Sequence, residues 1–218
     1  MMERVLIAGA SGLIGGELIK LLLVQPSVRE ILVLVRRRFP ISHPKLKHVT
    51  VDFDSLETFD AEFHGECLFC CLGSTLKKTP DLLDYREVDH DYPCKLAELS
   101  QLSNINQFHL VSALGANSNS KQFYLKMKGE TENAIKKIFS RSLHIYQPAL
   151  LTGERNEPRR FEKTLTLLMK AINPFLVGSL EKYRSIKAST VAQTMVNQAL
   201  KNMEGVYTYP SNIIEKLA

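Results

Sequence analysis

Arg4-Val5-Leu6-Ile7-Ala8-Gly9-Ala10-Ser11-Gly12-Leu13-Ile14-Gly15 is the stretch on which the reading of this chain turns. Arg4 to Ala8 is a run of β-branched and aliphatic residues that reads as a strand. The apolar positions Leu13, Ile14, Leu18, Leu21 and Leu22 then recur at helical spacing and end near Gln25-Pro26. Between them the glycines fall as G-x-x-G-x-x-G. Gly9 permits a tight turn, Gly12 lets backbone approach a pyrophosphate, and Gly15 lets the helix pack close to the strand. Phosphates placed there meet the free N–H groups of Ser11, Gly12, Leu13 and Ile14 at the positive end of a helix. The alternative is a glycine-rich turn that only packs. The position at the first strand-helix junction favours a dinucleotide.

Outward from this unit the same alternation repeats. Ile31–Val35, Val49–Val51, Cys67–Leu72, Gln107–Ser112 and Leu143–Tyr146 read as strands. Helical pattern lies between them, with Thr79 as N-cap and Pro80 at the first position of one helix, a break near Pro93, and another helix over residues 121–139. The strands are apolar throughout rather than alternating, as strands covered on both faces are. Strand-helix alternation implies βαβ units, so the fold class is α/β: a Rossmann-type, doubly wound parallel sheet with a small C-terminal substrate lobe. One domain spans 1–218. Residues 152–218 contribute a lid or lobe and closing elements: a charged loop at 154–160, helices over 161–172 and 189–202, and a last strand at 206–209.

The chain has 218 residues, with 28 Lys+Arg against 23 Asp+Glu, a formal net charge of +5. That size buries a core without disulfides or structural metal. No apolar run is long enough to span a membrane, and the N-terminus shows no secretory leader, so the expected address is cytoplasmic. Lys136-Lys137 and Arg159-Arg160 read as solvated faces, with no nucleic-acid motif beside them. Cys67, Cys70, Cys71 and Cys94 lack metal-ligand spacing and read as buried reduced thiols, and the six histidines show no such spacing either, so no metal is expected.

The end of the second strand selects the cofactor. An NAD enzyme places Asp or Glu about 20 residues after the glycines, on the ribose 2′-hydroxyl. Here stand Arg36-Arg37-Arg38. Guanidinium pairs with a 2′-phosphate that a carboxylate would repel. NADP(H) is therefore preferred over NAD(H), with Arg36 and Arg37 as its ligands. Asp52, followed by Phe53, reads equally as an adenine contact or a turn carboxylate.

Tyr124 and Lys128 form Tyr-x-x-x-Lys, and residues four apart share a helix face. An ammonium so placed is expected to pull the phenol of Tyr124 toward neutrality. Such a tyrosine gives a proton to a carbonyl oxygen, or takes one from an alcohol, during hydride transfer. Ser112, at a strand end, is expected to hydrogen-bond the same oxygen.

With these residues in hand the sequence resembles the atypical short-chain dehydrogenases/reductases, in the Tat-interacting-protein-like NAD(P)-binding oxidoreductase subfamily, from about Arg4 to Tyr209. The matching motifs are Gly9-x-x-Gly12-x-x-Gly15, Cys70-Cys71-Leu72-Gly73-Ser74-Thr75, Val88-Asp89, Val111-Ser112, Tyr124-x-x-x-Lys128-Gly129-Glu130 and Gln147-Pro148-Ala149. The resemblance implies that Cys71, Leu72 and Gly73 pass under the cofactor ribose. It implies that Tyr124 is the catalytic acid/base, that Lys128 binds the nicotinamide ribose, and that Gln147-Pro148 pass beside the nicotinamide. Many members carry Asn where this chain has Asp89, which puts the usual proton relay in question. Ala113 stands where relatives have a second Ser, and Pro148-Ala149 replaces Pro-Gly.

The expected function is NADP(H)-dependent hydride transfer to or from a carbonyl/alcohol small molecule. Two other readings compete: a sensor that binds NADP(H) without turnover, and a nucleotide-sugar epimerase or dehydratase. The intact Tyr124–Lys128 pair argues against the first, and the short C-terminal region against the second. Related folds pair through helices flanking the sheet, so a homodimer is the assembly to look for.

Overall fold

In the computed structural model, which describes residues 2–37, 40–58, 63–153, 173 and 176–218, the glycine stretch joins the first strand to the first helix. Strand β1 (Arg4–Ala8) leads through it into helix α1 (Leu13–Val24). The other strands are β2 (Glu30–Val35), β3 (Leu46–Thr50), β4 (Cys67–Cys70), β5 (Gln107–Val111), β6 (Ser142–Gln147), β7 (Leu151–Thr152), β8 (Ile186–Lys187) and β9 (Gly205–Pro210). Helices α2 (Leu82–Arg86) and α3 (Tyr92–Leu102) are joined through a π turn at Glu87–Asp91. Then come α4 (Phe123–Ile138), α5 (Ala188–Lys201) and α6 (Ser211–Leu217). Seven strands form one sheet in the order β3-β2-β1-β4-β5-β6-β9, and every pair is parallel. Strand order reverses between β1 and β4, where open α/β sheets bind ligands at their carboxyl ends.

The apolar strands divide their side chains between two cores, because successive residues point to opposite faces. Val5, Ile7, Cys67 and Phe69 join α1 and α5 on one side. Leu6, Ala8, Leu68 and Cys70 join α3 and the inner face of α4 on the other. Residues 188–217 belong to this architecture: α5 packs in the first core and β9 pairs with β6. They are closing elements of the sheet. The expected charged loop at 154–160 and helix at 161–172 lie outside the described residues.

Three local expectations are corrected. The helix following β4 is capped by Asp81, which accepts from the N–H of Leu83 (2.7 Å) and of Asp84 (3.3 Å), not by Thr79. A carboxylate two residues before those orphan donors outcompetes the hydroxyl farther back. At Pro93 the helix does not break; it widens into the π turn just ahead of the ring. The thiols of Cys67 and Cys70 are buried, but Cys71 and Cys94 are only half-buried; all four are free.

On the α5 side, β5 and β6 carry His109 and His144, stacked at 4.5 Å between ring centroids and 3° between planes. Gln107 Nε2 donates to Ala199 O (2.9 Å) and Asn202 Oδ1 (3.0 Å), so its Oε1 faces His109 Nε2 as acceptor. Tyr146 OH then donates to His109 Nδ1. Ser142 spends its hydroxyl proton on Met203 O, so His144 Nε2–H donates to Ser142 and Tyr209 OH donates to His144 Nδ1. Both rings are therefore neutral. Burial lowers His144 from 6.5 to about 4, and burial followed by the neighbouring His144 lowers His109 well below its ordinary value. Below pH 6.5 the unfolded chain takes up protons that these folded rings refuse, so stability is lost as pH falls from about 6.5 toward 4. His144 alone is worth about 2 kcal/mol between pH 7.5 and 5. Urea unfolding at the two pH values measures this; an equal midpoint contradicts it.

Candidate active site

The glycine loop is built for close backbone approach. Gly9 has φ +85°, and a Cβ there would stand 2.4 Å from Cys71 O. A Cβ on Gly15 would stand 2.3 Å from Gly9 O. The N–H of Gly12 donates to Gly9 O at 3.0 Å and closes the turn. Helix α1 begins at Gly12 with no side-chain cap and no acidic residue in its first turn, so no carboxylate competes for its N-terminal amides. Ser11 and Gly12 are exposed, Leu13 is half-buried, and Ile14 turns into the core. Cys71 lies directly against this loop, its N–H donating to Ala8 O at 2.8 Å, one residue past the end of β4. Leu72 and Gly73 follow, half-buried and exposed. The first glycine and the Cys71-Leu72-Gly73 segment are thus brought together.

Arg36 and Arg37 are exposed just past the carboxyl end of β2, beside β1; Arg38 lies outside the described residues. Asp52 takes its turn role. It accepts from Asp54 N–H (3.1 Å) and Ser55 Oγ (3.0 Å), and these two bonds hold its pKa below the usual value. The ring of Phe53 is buried 5.3 Å from that of Tyr92, so main chain is what this residue offers a ligand.

Tyr124 and Lys128 share one face of α4. Tyr124 is 40% exposed, whereas Lys128 is 4% exposed and ion-paired, Nζ to Asp89 Oδ1 at 2.8 Å. Asp89 Oδ2 accepts the N–H of Ser74 at 2.6 Å. Burial by itself would lower Lys128, but Asp89 and then Tyr124 outweigh it and hold the ammonium above the ordinary lysine range. For Tyr124 the expectation is reversed in sign. Lys128 does pull the phenol down, but removal from water pushes it up more, Asp89 adds to that push, and the net direction is upward. Tyr85, buried nearby, is also raised, by burial and then by Asp89 and Tyr124.

The Ser112 hydroxyl is spent on α4 rather than left free for a substrate oxygen. Its buried Oγ donates to Glu132 Oε1 at 2.5 Å, and Gln147 Nε2 donates to Glu132 Oε1 (2.9 Å) and Oε2 (3.1 Å). Glu132 is eight residues beyond Tyr124, about 12 Å along the helix axis, and helical side chains lean toward the N-terminus. Ser112 therefore sits deep, fastening β5 and the end of β6 to α4. The Pro148 carbonyl accepts from Leu114 N–H at 3.0 Å, so the Gln147-Pro148 strap is held from both sides. Glu132 was not singled out from sequence. Its signal is the four-residue stripe Tyr124, Lys128, Glu132, Lys136. Glu132→Ala would strand the Ser112 hydroxyl and the Gln147 amide, costing about 3 kcal/mol in urea unfolding, with Glu132→Gln costing less. Equal midpoints for Ala and wild type would contradict this.

Among the described residues no group of three or more His, Cys, Asp or Glu could hold a metal, and no helix is long and apolar enough to cross a membrane.

Comparison with known proteins places this geometry. Protein HTATIP2 of Rattus norvegicus is 30% identical over 207 residues, covering 93% of this chain and 84% of the relative. The chain belongs to the HTATIP2-like, atypical short-chain dehydrogenase/reductase family. No family model matches it. The mitochondrial protein FMP52 of Coccidioides immitis is 27% identical over 217 residues, covering 94% of this chain and 88% of the relative. FMP52 of Candida albicans is 28% identical over 213 residues, covering 91% and 89%. Among solved structures, MoeE5 in complex with UDP-glucose and NAD has a TM-score of 0.72 at 16% identity, over 94% of this chain and 74% of that one. The Bordetella bronchiseptica enzyme WbmH in complex with NAD+ has a TM-score of 0.71 at 15% identity, over 99% and 78%. These structures establish the fold. The cytoplasmic address is overturned, because the fungal family relatives are named mitochondrial. The sequence criterion looked for a secretory leader, which is uninformative about organelle import.

Proposed function

We propose that this family member is an NADP(H)-dependent oxidoreductase that transfers hydride between the cofactor and a carbonyl/alcohol substrate, with Tyr124 as the acid/base. The observation that carries the reading is the Tyr124–Lys128 pair, with Lys128 buried and fixed by Asp89. The glycine loop fits a dinucleotide: Gly9 and Gly15 let the loop, the Cys71-Leu72 main chain and the start of α1 close on one another, and α1 presents an N-terminus with no side-chain cap and no acidic residue in its first turn. The loop amides of Ser11, Leu13 and Ile14 would hold the pyrophosphate, that of Gly12 being spent on Gly9 O; Arg36 and Arg37 would hold the 2′-phosphate, and Asp52 and Phe53 would border the adenine. Cys71, Leu72 and Gly73 would line the ribose, Lys128 would hold the nicotinamide ribose, and Gln147 and Pro148 would flank the nicotinamide. The bound nicotinamide supplies or accepts the hydride. Tyr124 gives the carbonyl oxygen its proton in reduction, or takes the alcohol proton in oxidation, and Ser112 keeps the strand ends around that oxygen in register. A mitochondrial address follows the names of the fungal relatives.

The cofactor preference is tested by titrating NADPH and NADH into wild type and Arg36→Ala/Arg37→Ala. Loss of charge-assisted contacts to the 2′-phosphate is expected to weaken NADPH about 10- to 100-fold and leave NADH unchanged. Equal affinities of wild type and variant for NADPH contradict it.

A further inference from the structure

Asp89 is buried (1% exposed), and the proton and hydride transfers pass through none of its atoms. Both of its oxygens are engaged, one by the Lys128 ammonium and one by the Ser74 amide. The backbone is shaped to put it there. The helix widens to a π turn, in which the N–H of Tyr92 reaches back five residues to Glu87 O. Such bulges recur at functional sites. Pro93 has no N–H to offer the Asp89 carbonyl, and Thr131 Oγ1 of α4 lies 3.2 Å from that oxygen, its one proton shared with Met127 O at 2.9 Å. One residue therefore fastens α4, and with it Lys128, to the loop that follows β4.

Among the described residues, the titratable and charged groups that feel Asp89 include Lys128 and Tyr124 from α4, Tyr85 from α2 and Cys70 from β4. Burial raises the Cys70 thiol to about 11 and pushes Tyr85 upward, so neither adds charge at neutral pH. What Tyr124 meets is a carboxylate and an ammonium 2.8 Å apart. A lone ammonium, itself buried, would stabilise the phenolate; an ammonium closed on a carboxylate does so far less.

We propose that Asp89 is a positioning residue that locks Lys128 in place and cancels its charge, so that Tyr124 faces an ion pair and works at neutral pH as a proton donor. This rests on the reading of Tyr124 as the acid/base. It sets the site for carbonyl reduction and confines alcohol oxidation, which needs the phenolate, to alkaline solution.

The test is the titration of Tyr124 in protein carrying [ζ-13C]tyrosine, with no cofactor or substrate present and the resonance assigned by Tyr124→Phe. Asp89→Asn keeps the shape and an acceptor for Ser74 but removes the charge. Its Tyr124 is expected to titrate at least about one pH unit below wild type, a tenfold gain in acidity. An unchanged or higher titration overturns the proposal. Should Asp89→Asn fail to fold, Asp89→Asn/Lys128→Met leaves no unpaired buried charge. There Tyr124 is expected within about half a unit of wild type, because a neutral pair replaces a cancelled one. A double variant titrating a full unit or more higher shows that Lys128 acts alone, and overturns the proposal. This titration needs no turnover, so the two failures are distinguishable: absence of carbonyl reduction sinks the oxidoreductase reading, whereas an unmoved Tyr124 titration sinks only the role given to Asp89.

Discussion

Tyr124→Phe is expected to lower carbonyl reduction about 10³-fold while NADPH binds as in wild type. The phenol is the proton donor in this account, and the substitution removes one oxygen from a side chain that is 40% exposed at the surface of α4. The ring stays, and Lys128 keeps its ion pair with Asp89, so the ribose ligand and the fold are undisturbed. Steady-state rates beside a binding titration separate the two effects. A variant that reduces its substrate at the wild-type rate removes Tyr124 from the chemistry.

Gly9→Ala is expected to abolish dinucleotide binding, with affinity falling at least about 100-fold, about 3 kcal/mol. Two costs coincide at this position. The backbone is at φ +85°, where an L side chain is strained, and the new Cβ would stand 2.4 Å from Cys71 O, 2.5 Å from Cys71 C and 2.8 Å from Leu72 N. All three atoms are main chain, so no rotamer change relieves the contact. Either the glycine turn or the Cys71-Leu72-Gly73 segment must move, and both border the proposed cofactor site. Calorimetric titration with NADPH, with near-ultraviolet circular dichroism to confirm folding, measures the loss. A folded Ala variant with wild-type affinity contradicts the assignment of the loop.

The sheet was readable because its strands carry apolar residues at every position, the mark of burial on both faces. Val5 to Ala8 and Cys67 to Cys70 are the clearest instances. The glycine spacing and the Tyr124–Lys128 spacing are local, and local patterns survive in sequence. What sequence does not carry is pairing across distance. Asp89 lies 39 residues before Lys128, and nothing in Val88-Asp89-His90 announces that its carboxylate closes on that ammonium. Nor does sequence show the removal of Tyr124 from water, which outweighs Lys128 and, with Asp89 adding to it, gives the net shift the opposite sign to the one expected. From sequence, Ser112 at the end of a strand is expected to hydrogen-bond the substrate oxygen; in the structure its hydroxyl is taken by Glu132, a partner that no local pattern shows. The short strands β7 and β8, two residues each, and the C-terminal helix α6 exist through tertiary packing and have no sequence period long enough to detect.

The most direct test of the central claim is NADPH consumption by wild-type protein over a panel of aldehydes, ketones and quinones. The account predicts that at least one carbonyl class is reduced with one NADPH oxidised per carbonyl. NADPH that binds tightly and is consumed by none of them would contradict hydride transfer and leave a protein that senses the nucleotide.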